Sequence, residues 1–184
     1  MRPARPLTLA FVLVLVLVSC SDSTDSATTS AAPSDTGSTT TFDATDACSV
    51  LAPADFAVVG LTVDAEGEDV SENFTLATTS SVACQWTNFD DNVGGSWELI
   101  IGTGGAEAAY ELEVSFTELD TFTTLAIGDE AYLADKVSSF DATDHDYEAG
   151  VRIGDTFFTF STTDDRGAEA IVALATLVAD RLAA

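Results

Sequence analysis

Apolar and polar positions alternate most clearly in the last third of the chain. Residues 147–153 alternate, residues 156–162 form a second β-prone run, and the dipeptide Gly154-Asp155 separates them. A glycine-first dipeptide between two such runs is typical of a type II′ turn, so we predict a β-hairpin. The facing pairs in this register are Val151 with Phe158 and Ala149 with Phe160 on the buried side, and Arg152 with Phe157 on the other.

The residues after this hairpin follow a helical pattern. Apolar side chains recur every three or four positions between Gly167 and Leu182, which predicts an amphipathic helix. Asp164 and Asp165 precede it, where carboxylates favour the helix dipole. The stripe that this helix would bury consists of Ile171, Leu174, Ala175, Val178 and Leu182.

Earlier segments predict strands joined to helices. A short helix opens at Pro53, and residues 104–116 are moderately helical. Strands are predicted at residues 74–79, 82–89, 96–102 and 131–133. Trp86 and Trp97 lie on strand faces and are expected in the core, with stacking on sugars as the alternative. Runs of strands joined by short turns indicate an antiparallel sheet packed by helices, an α+β fold, and residues 48–184 suit a single domain.

The first 19 residues carry the pattern of an export signal. Arg2 and Arg5 precede an apolar run from Leu7 to Val18. As a helix, this run would span about 18 Å, well short of the ~30 Å hydrocarbon core of a membrane. It therefore predicts a signal peptide rather than a transmembrane helix.

The apolar run ends in Leu17-Val18-Ser19-Cys20, which resembles the lipobox of bacterial lipoproteins. The resemblance implies cleavage before Cys20 and a diacylglycerol thioether on its sulfur, because a thiolate is the nucleophile that takes the lipid. Two or three acyl chains give a stable anchor, whereas one binds marginally. We therefore expect Cys20 to anchor the chain to the outer face of the cell membrane. The alternatives are an ordinary signal peptide and a short uncleaved anchor.

Residues 20–47 would form a tether between the lipidated cysteine and the domain. Most residues of this segment are Ser, Thr, Asp or Ala, and Phe42 is its only large apolar side chain. Such a composition cannot bury enough apolar surface to offset the entropy lost on ordering, so we expect disorder. As a flexible coil, the segment would span about 30 Å.

Two cysteines remain if Cys20 carries the lipid. These are Cys48 and Cys84. In an oxidising compartment, two such cysteines most often form a disulfide. The alternatives are a metal-binding pair and two buried thiols, although two cysteines and the single His145 are too few for a structural zinc site.

The chain is strongly acidic, with 31 Asp and Glu against 6 Lys and Arg and a net charge of −25. Nucleic-acid binding needs a basic surface, so we expect no nucleic-acid partner. The same charge disfavours anionic headgroups and polymers. A solvated surface or adaptation to salty surroundings explains the acidity most simply, and capture of cations or basic peptides is the alternative.

No motif points to a catalytic centre or a cofactor. The segment Gly102-Thr103-Gly104-Gly105 joins a predicted strand to a predicted helix. Glu107 and the lack of a nearby lysine argue against a phosphate-binding loop there, so we predict a plain turn. A Gly-x-Ser-x-Gly elbow is also absent from the sequence. We therefore predict no catalytic residues and no cofactor.

The densest group of carboxylates lies in residues 141–148. Asp144, Asp146 and Glu148 have the spacing of the first ligands in a calcium-binding loop. Ala149 stands where such a loop needs glycine, and calcium ligands must converge rather than alternate along a strand. We therefore expect no firm metal site and keep these three residues as a weak calcium candidate beside an ordinary solvated loop.

A set of short motifs runs in order through residues 46–182. It consists of Asp46-Ala47-Cys48-Ser49-Val50-Leu51, Pro53-Ala54-Asp55, Gly60, Cys84-Gln85-Trp86, Ile127-Gly128-Asp129-Glu130-Ala131-Tyr132, the closing hairpin and the Ala-rich helix. The set resembles a domain of unknown function that is common in small secreted lipoproteins of actinobacteria. The resemblance implies a disulfide between Cys48 and Cys84 and no established activity.

Two classes of function fit these patterns. The first is a non-enzymatic binding or envelope-associated module with an unknown envelope or extracellular ligand, and the alternative is an extracellular hydrolase that uses a carboxylate pair. We prefer the first because no nucleophile, metal set or cofactor loop is visible. Exposed aromatic side chains in a groove would favour binding. Two buried, converging carboxyl groups with raised pKa values would favour a hydrolase.

Overall fold

Seven antiparallel strands form one sheet in the computed structural model, which describes residues 44–63, 66–88, 95–116, 122–137, 145–163 and 167–184. The elements are the 3-10 helix η1 Ala47–Ser49, α1 Pro53–Val58, β1 Glu68–Asp69, β2 Ser80–Asn88, β3 Gly95–Thr103, α2 Ala106–Phe116, β4 Phe122–Thr124, β5 Glu130–Val137, β6 His145–Ile153, β7 Thr156–Thr162 and α3 Gly167–Ala183. The predicted α+β fold, an antiparallel sheet packed by helices, is confirmed.

The strand order is β1-β2-β3-β7-β6-β5-β4. After β3, the chain therefore passes through α2 to the far edge of the sheet and returns strand by strand until β7 pairs with β3. The predicted hairpin is confirmed, with Val151 opposite Phe158 and Ala149 opposite Phe160. Gly154 has a φ of 57°, a left-handed conformation that glycine adopts without strain at the first turn position.

One face of the sheet, here called the apolar face, carries the main core. Its buried side chains include Trp86, Trp97, Leu99, Phe158 and Phe160. The helices α1 and α3 cover this face, and the ring of Phe56 lies 5.4 Å from that of Trp86. The predicted α3 stripe is buried at Ile171, Leu174, Ala175 and Val178, and half-buried at Leu182. Each fully buried large side chain contributes roughly 1.5–3 kcal/mol.

Two cross-links tie the start of the domain to the rest of the fold. The predicted disulfide is confirmed, and it joins Cys48 in η1 to Cys84 in β2. On the chain-entropy model, a bridge across such a loop stabilises by about 4 kcal/mol. Asp55 of α1 accepts two hydrogen bonds from the guanidinium of Arg181 in α3, at 2.7 and 2.8 Å. The first and last α-helices are therefore joined directly.

The strand prediction for residues 74–79 is wrong, since they form bends and irregular structure instead. Leu76 packs against Phe157 on the face opposite the main core, and Thr78 lies against Gly102. This tertiary packing overrides the β propensity of the segment. The strand predicted at residues 131–133 is longer than expected, and the unpredicted β4 pairs with it at the edge of the sheet.

The described part of the chain begins at Ala44, inside the predicted tether. Ala44 packs against the core, and Ala47 is buried. Asp46 caps η1 by accepting a hydrogen bond from the backbone N–H of Cys48. The folded domain therefore includes the last residues of that segment, while the predicted signal peptide and Cys20 lie outside the described residues. No helix in the described ranges is long and apolar enough to span a membrane.

Candidate functional site on the acidic face

The second face of the sheet, here called the acidic face, carries a row of polar side chains. Gln85 of β2, Glu98 of β3, Ser161 of β7 and Glu148 of β6 are consecutive partners in the sheet register. Partners in neighbouring strands project to the same face, so Glu98 and Glu148 flank Ser161. Because strands lie about 4.8 Å apart, the Cα atoms of the two glutamates are roughly 10 Å apart.

The carboxylate of Glu148 is held in place by two hydrogen bonds. The hydroxyl of Tyr132 donates to its Oε1 at 2.6 Å, and Nζ of Lys136 donates to its Oε2 at 2.8 Å. The Glu148 side chain is only 13% exposed. Both carboxylate oxygens therefore already accept hydrogen bonds from β5, and Lys136 balances one negative charge.

The position of Tyr132 depends on its neighbours. Its ring lies over Gly150, where a Cβ atom would collide with the ring. Phe122 stacks on it with ring centres 5.2 Å apart, and the ring of Tyr110 in α2 lies 5.9 Å away. A glycine in a strand often marks such a close approach, and here it allows Tyr132 to reach Glu148.

The helix α2 brings a third carboxyl group to this face. Ala106 and Ala109 are buried against Phe157, with Tyr110 packed beside them. Glu113 follows Ala106 by about two helical turns and lies on the same side of the helix. We call Glu98, Glu113 and Glu148 together the glutamate cluster.

The start of α2 is fixed by the β6–β7 turn. Oδ1 of Asp155 accepts hydrogen bonds from the N–H groups of Gly105 at 2.9 Å and Ala106 at 3.4 Å. Gly104 and Gly105 have φ values of 80° and 86°, which favour glycine. The N–H groups of this glycine-rich loop therefore bind a carboxylate of the chain itself. Such a contact caps the start of a helix.

Two members of the glutamate cluster have raised pKa values. Burial is the main cause of the raised pKa of Glu98, and the charge of Glu148 adds to it. Burial and then Glu148 also raise the pKa of Glu113, while Lys136 acts in the opposite direction. Both carboxyl groups therefore hold a proton more tightly than a fully solvated glutamate does.

This arrangement permits two kinds of chemistry. A carboxyl group with a raised pKa beside a carboxylate that accepts two hydrogen bonds has the asymmetry that carboxylate-pair hydrolases use for general acid catalysis. The negative charge of the face would also favour a positively charged ligand, since the described cations there, Lys136 and Arg152, already bind Glu148 and Glu130.

The structure describes two of the three residues of the predicted calcium candidate. Asp146 and Glu148 both lie on β6 and project to the acidic face, whereas Asp144 lies outside the described residues. Within the described ranges, no group of three or more His, Cys, Asp or Glu side chains is placed to hold a metal ion. The calcium hypothesis stays a prediction.

His145 projects away from the glutamate cluster. Its Nδ1 lies 2.6 Å from Oδ1 of Asp135, and its ring stacks on Tyr147 with ring centres 6.1 Å apart. His145 alternates with Asp146 and Glu148 along β6, so it lies on the apolar side of the sheet. The single histidine therefore cannot act as a base for a group on the acidic face.

The motif Ile127–Tyr132 connects turns of the fold. Oδ2 of Asp129 accepts a hydrogen bond from the N–H of Gly154 at 2.7 Å, and the N–H of Asp129 donates to the carbonyl of Arg152 at 2.8 Å. The β4–β5 connection is thereby tied to the same turn that caps α2. This part of the motif has a structural role, and Tyr132 at its end reaches the glutamate cluster.

Two surface cavities in the described part of the chain flank the disulfide. The larger, of about 240 Å³, is lined by residues that include Asp46, Asp69 and Ser71. Hydrogen bonds from Ser71 lower the pKa of Asp69. The smaller, of about 150 Å³, lies beside Leu51 and Gly67. Both fall below the ~300–1,000 Å³ of typical small-molecule sites.

Sequence reasoning missed Glu98 and Glu113. Each had a local signal, since Glu98 stands between the apolar Trp97 and Leu99, and Glu113 continues the inward stripe of α2. Their approach to Glu148 depends on the pairing of β3 with β7 and of β7 with β6, which no local pattern encodes.

Comparisons with known proteins do not identify the chain, since no protein family, curated protein or solved structure matches it. The resemblance to the actinobacterial lipoprotein domain therefore stays a prediction. A function for this chain has to be argued from its own residues.

Proposed function

We propose that this chain is an exported, lipid-anchored protein on the outer face of the cell membrane, and that its domain is a non-enzymatic binding or envelope-associated module. The observation that carries the proposal is the use of the three cysteines. Cys48 and Cys84 are joined within the fold, which leaves Cys20 for the lipid. A structural disulfide is typical of proteins that fold in an oxidising compartment. Cys20 follows the short apolar run at the position that the lipobox resemblance implies for lipidation.

The binding role is supported by the make-up of the acidic face. The glutamate cluster is surrounded by Tyr132, Lys136 and Ser161, and His145 projects to the opposite side of the sheet. Serine and histidine are thus not brought together there as a nucleophile and its base. A ligand attracted by the charge of this face would be cationic, such as a basic peptide of the envelope or the medium.

The anchor is tested by comparing the wild-type chain with Cys20→Ala. We expect intact-mass measurement to find acyl chains on the wild type and none on the variant, and fractionation to find only the wild type on membranes. The double variant Cys48→Ser/Cys84→Ser is the matched control and should keep the lipid. Wild-type protein without lipid, free in the medium, would contradict the anchor.

The binding module is tested with a pull-down from envelope extract by the full chain. We expect a partner that is retained at low salt, released at high salt, and lost with the double variant Glu98→Gln/Glu148→Gln. Glu111→Gln changes the charge by one unit on the exposed side of α2 and should retain the partner. Equal recovery by all three proteins would exclude the acidic face as the binding surface.

A hydrolase is the second candidate, favoured by the raised pKa values of Glu98 and Glu113 beside Glu148. In such enzymes one carboxyl group protonates the leaving group and another acts as nucleophile or base. A panel of chromogenic glycosides and cell-wall fragments tests this role. Turnover that is lost in Glu98→Gln and Glu148→Gln, but kept in Glu111→Gln, would replace the binding module by a hydrolase.

A further inference from the structure

The two cysteines of the disulfide lie in unequal surroundings. Cys84 is 0% exposed and belongs to the main core. Gly67 lies directly over it, because a Cβ atom at Gly67 would collide with Sγ of Cys84 and with the indole of Trp86. Cys48, in contrast, is only half-buried. A reagent in the solvent therefore reaches Cys48 more easily than Cys84.

Both cavities beside the disulfide are lined by Cys48. It contributes to the larger cavity of about 240 Å³ and to the smaller one of about 150 Å³, whereas Cys84 lines neither. A disulfide exchanges when a thiolate attacks one of its two sulfur atoms, and access helps to decide which one is attacked. Because both cavities are smaller than typical small-molecule sites, only a small thiol fits them.

The charged side chains that line these cavities are acidic. Asp46 and Asp69 line the larger cavity and Glu66 lines the smaller, and the described residues of both linings include no Lys or Arg. Hydrogen bonds from Ser71 lower the pKa of Asp69, so this carboxylate stays charged even in mild acid. A thiolate that carries a further negative charge is therefore repelled, whereas one that carries an ammonium group is not.

The segment around Cys48 also has contacts with the core that do not depend on the disulfide. Val50 and Leu51 are 0% and 3% exposed. The guanidinium of Arg181 donates to the carbonyl oxygen of Val50 and to the carboxylate of Asp55. These contacts hold Cys48 close to Cys84 when the bridge opens, so the bridge can form again.

We infer that the disulfide is a reversible exchange site for small cationic or neutral thiols, which attack it at Cys48. The incoming thiol loses its proton to water, and its sulfur forms a new bond to Sγ of Cys48. The bond between Cys48 and Cys84 breaks, and the electron pair leaves with Cys84, which takes up a proton from water. The incoming thiol is oxidised to a mixed disulfide while Cys84 is reduced.

The reverse step restores the original bridge. Cys84, as its thiolate, attacks Sγ of Cys48 and expels the bound thiol, which takes up a proton. Because Cys84 lies in an apolar environment, its thiolate is disfavoured and the exchange is slow compared with that of a solvated disulfide. The inference goes beyond the proposed function, because it holds whether or not the chain carries a lipid.

Peptide mapping tests which sulfur is attacked. The full chain with Cys20→Ala, which keeps the two bridged cysteines as its only ones, is treated with cysteamine and quenched early with acid. Free thiols are then blocked with N-ethylmaleimide. We expect cysteamine on Cys48 and N-ethylmaleimide on Cys84, in excess over the reverse product by about tenfold or more. Equal amounts of the two products, or no adduct while the circular dichroism stays native, would overturn the inference.

A series of thiols tests the role of charge. Cysteamine, 2-mercaptoethanol and thioglycolate differ by one charge at each step, and the rate of each is divided by its rate with hydroxyethyl disulfide to remove differences in intrinsic reactivity. We expect cysteamine to react fastest and thioglycolate slowest, about fivefold apart at low salt and nearly equal at about 1 M salt. Equal relative rates at low salt would contradict a site that selects by charge.

Two double variants locate the charge that selects the thiol. Glu66→Gln/Asp69→Asn removes one carboxylate from each cavity and should raise the rate of thioglycolate relative to cysteamine by about twofold or more. Glu111→Gln/Asp180→Asn makes the same change in net charge at exposed positions that line neither cavity, and should behave as the parent chain. Equal responses of the two double variants would overturn the selection by the cavities, because it would then come from net charge.

Discussion

The two faces of one sheet differ in what covers them. The apolar face is packed by the 17-residue helix α3, whose stripe buries Ile171, Leu174, Ala175 and Val178. The acidic face is crossed by the 11-residue helix α2, in which only Ala106 and Ala109 are buried. The same strands supply both faces, since alternate residues point to opposite sides. The main core is therefore concentrated on one side, and the glutamate cluster on the other.

This difference shows how a small domain can hold charged groups near its interior. Burying Glu98, Glu113 and Glu148 opposes folding through loss of hydration. The apolar face, together with the disulfide and the pair of Asp55 with Arg181, supplies the stabilisation that offsets this effect. A clear ranking of variants follows, from changes on the apolar face to changes on the acidic face.

The largest effect is expected for Trp97→Ala on the apolar face. Trp97 is fully buried between Phe56 and Phe160, so its removal leaves a large cavity and should destabilise by roughly 3–5 kcal/mol. Phe116→Ala on the exposed end of α2 is the aromatic control and should change stability by less than about 0.5 kcal/mol. Urea denaturation measures the free energy of unfolding of both variants. Similar losses of stability in the two variants would contradict the contrast between the faces.

Loss of the disulfide should have the next largest effect. Cys48→Ser/Cys84→Ser frees η1 from β2 and should destabilise by roughly 2–4 kcal/mol in urea denaturation. Non-reducing peptide mapping of the exported wild type should recover the two cysteines as one cross-linked pair. Both thiols open to alkylation in the native protein would be the contrary result.

Asp55→Asn tests the charged pair between α1 and α3. The Asp55 and Arg181 side chains are 15% and 23% exposed, so we expect a loss of roughly 1–3 kcal/mol at neutral pH, less than for a fully buried pair. Hydrogen bonds from Arg181 are the main reason for the lowered pKa of Asp55. Stability from this pair is therefore present above the ordinary value of 3.8 and is lost as the pH falls through the lowered pKa. Asp180→Asn, on the exposed side of α3, should show neither effect.

Glu113→Gln should act in the opposite direction and more weakly. The raised pKa of Glu113 means that its ionised form opposes folding above the ordinary glutamate value of 4.5, and that this effect disappears in acid. Solvent screening at a half-exposed site limits the gain at neutral pH to about 0.5 kcal/mol or less. In thermal melts, the melting temperatures of the wild type and the variant should differ at neutral pH and become equal in acid. A destabilised variant would mean that the charge of Glu113 is favourable where it lies.

The smallest and most gradual response is expected from salt. Screening of the net charge of −25 should raise the melting temperature slowly, and sodium and calcium chloride at equal ionic strength should act nearly alike. A saturable, calcium-specific rise that Asp144→Ala abolishes would instead establish the calcium site. Magnesium should not reproduce such a rise, because it prefers a tighter octahedral site.

Local periodicity was sufficient to predict an element correctly where the element and its partner are close in the sequence. Gly154-Asp155 determines the β6–β7 register within a few residues, and the α3 stripe repeats with the period of one helix. The failure at residues 74–79 has the opposite cause. Leu76 packs against Phe157, which lies far away in the sequence. This contact, and not the local β propensity, decides the structure of the segment.

The sequence by itself determined the α+β class, the closing hairpin and the two cysteines available for a disulfide, because each rests on composition or short-range periodicity, while the export signal stays a prediction. Only the tertiary structure decided which strands lie side by side and which face α2 crosses. Glu98 and Glu148 lie far apart in the chain but flank β7 on the same face of the sheet, and Glu113 approaches this face from a helix. A period of two tells which residues share a side of one strand, but the neighbour of that strand is chosen by the packing of the whole domain.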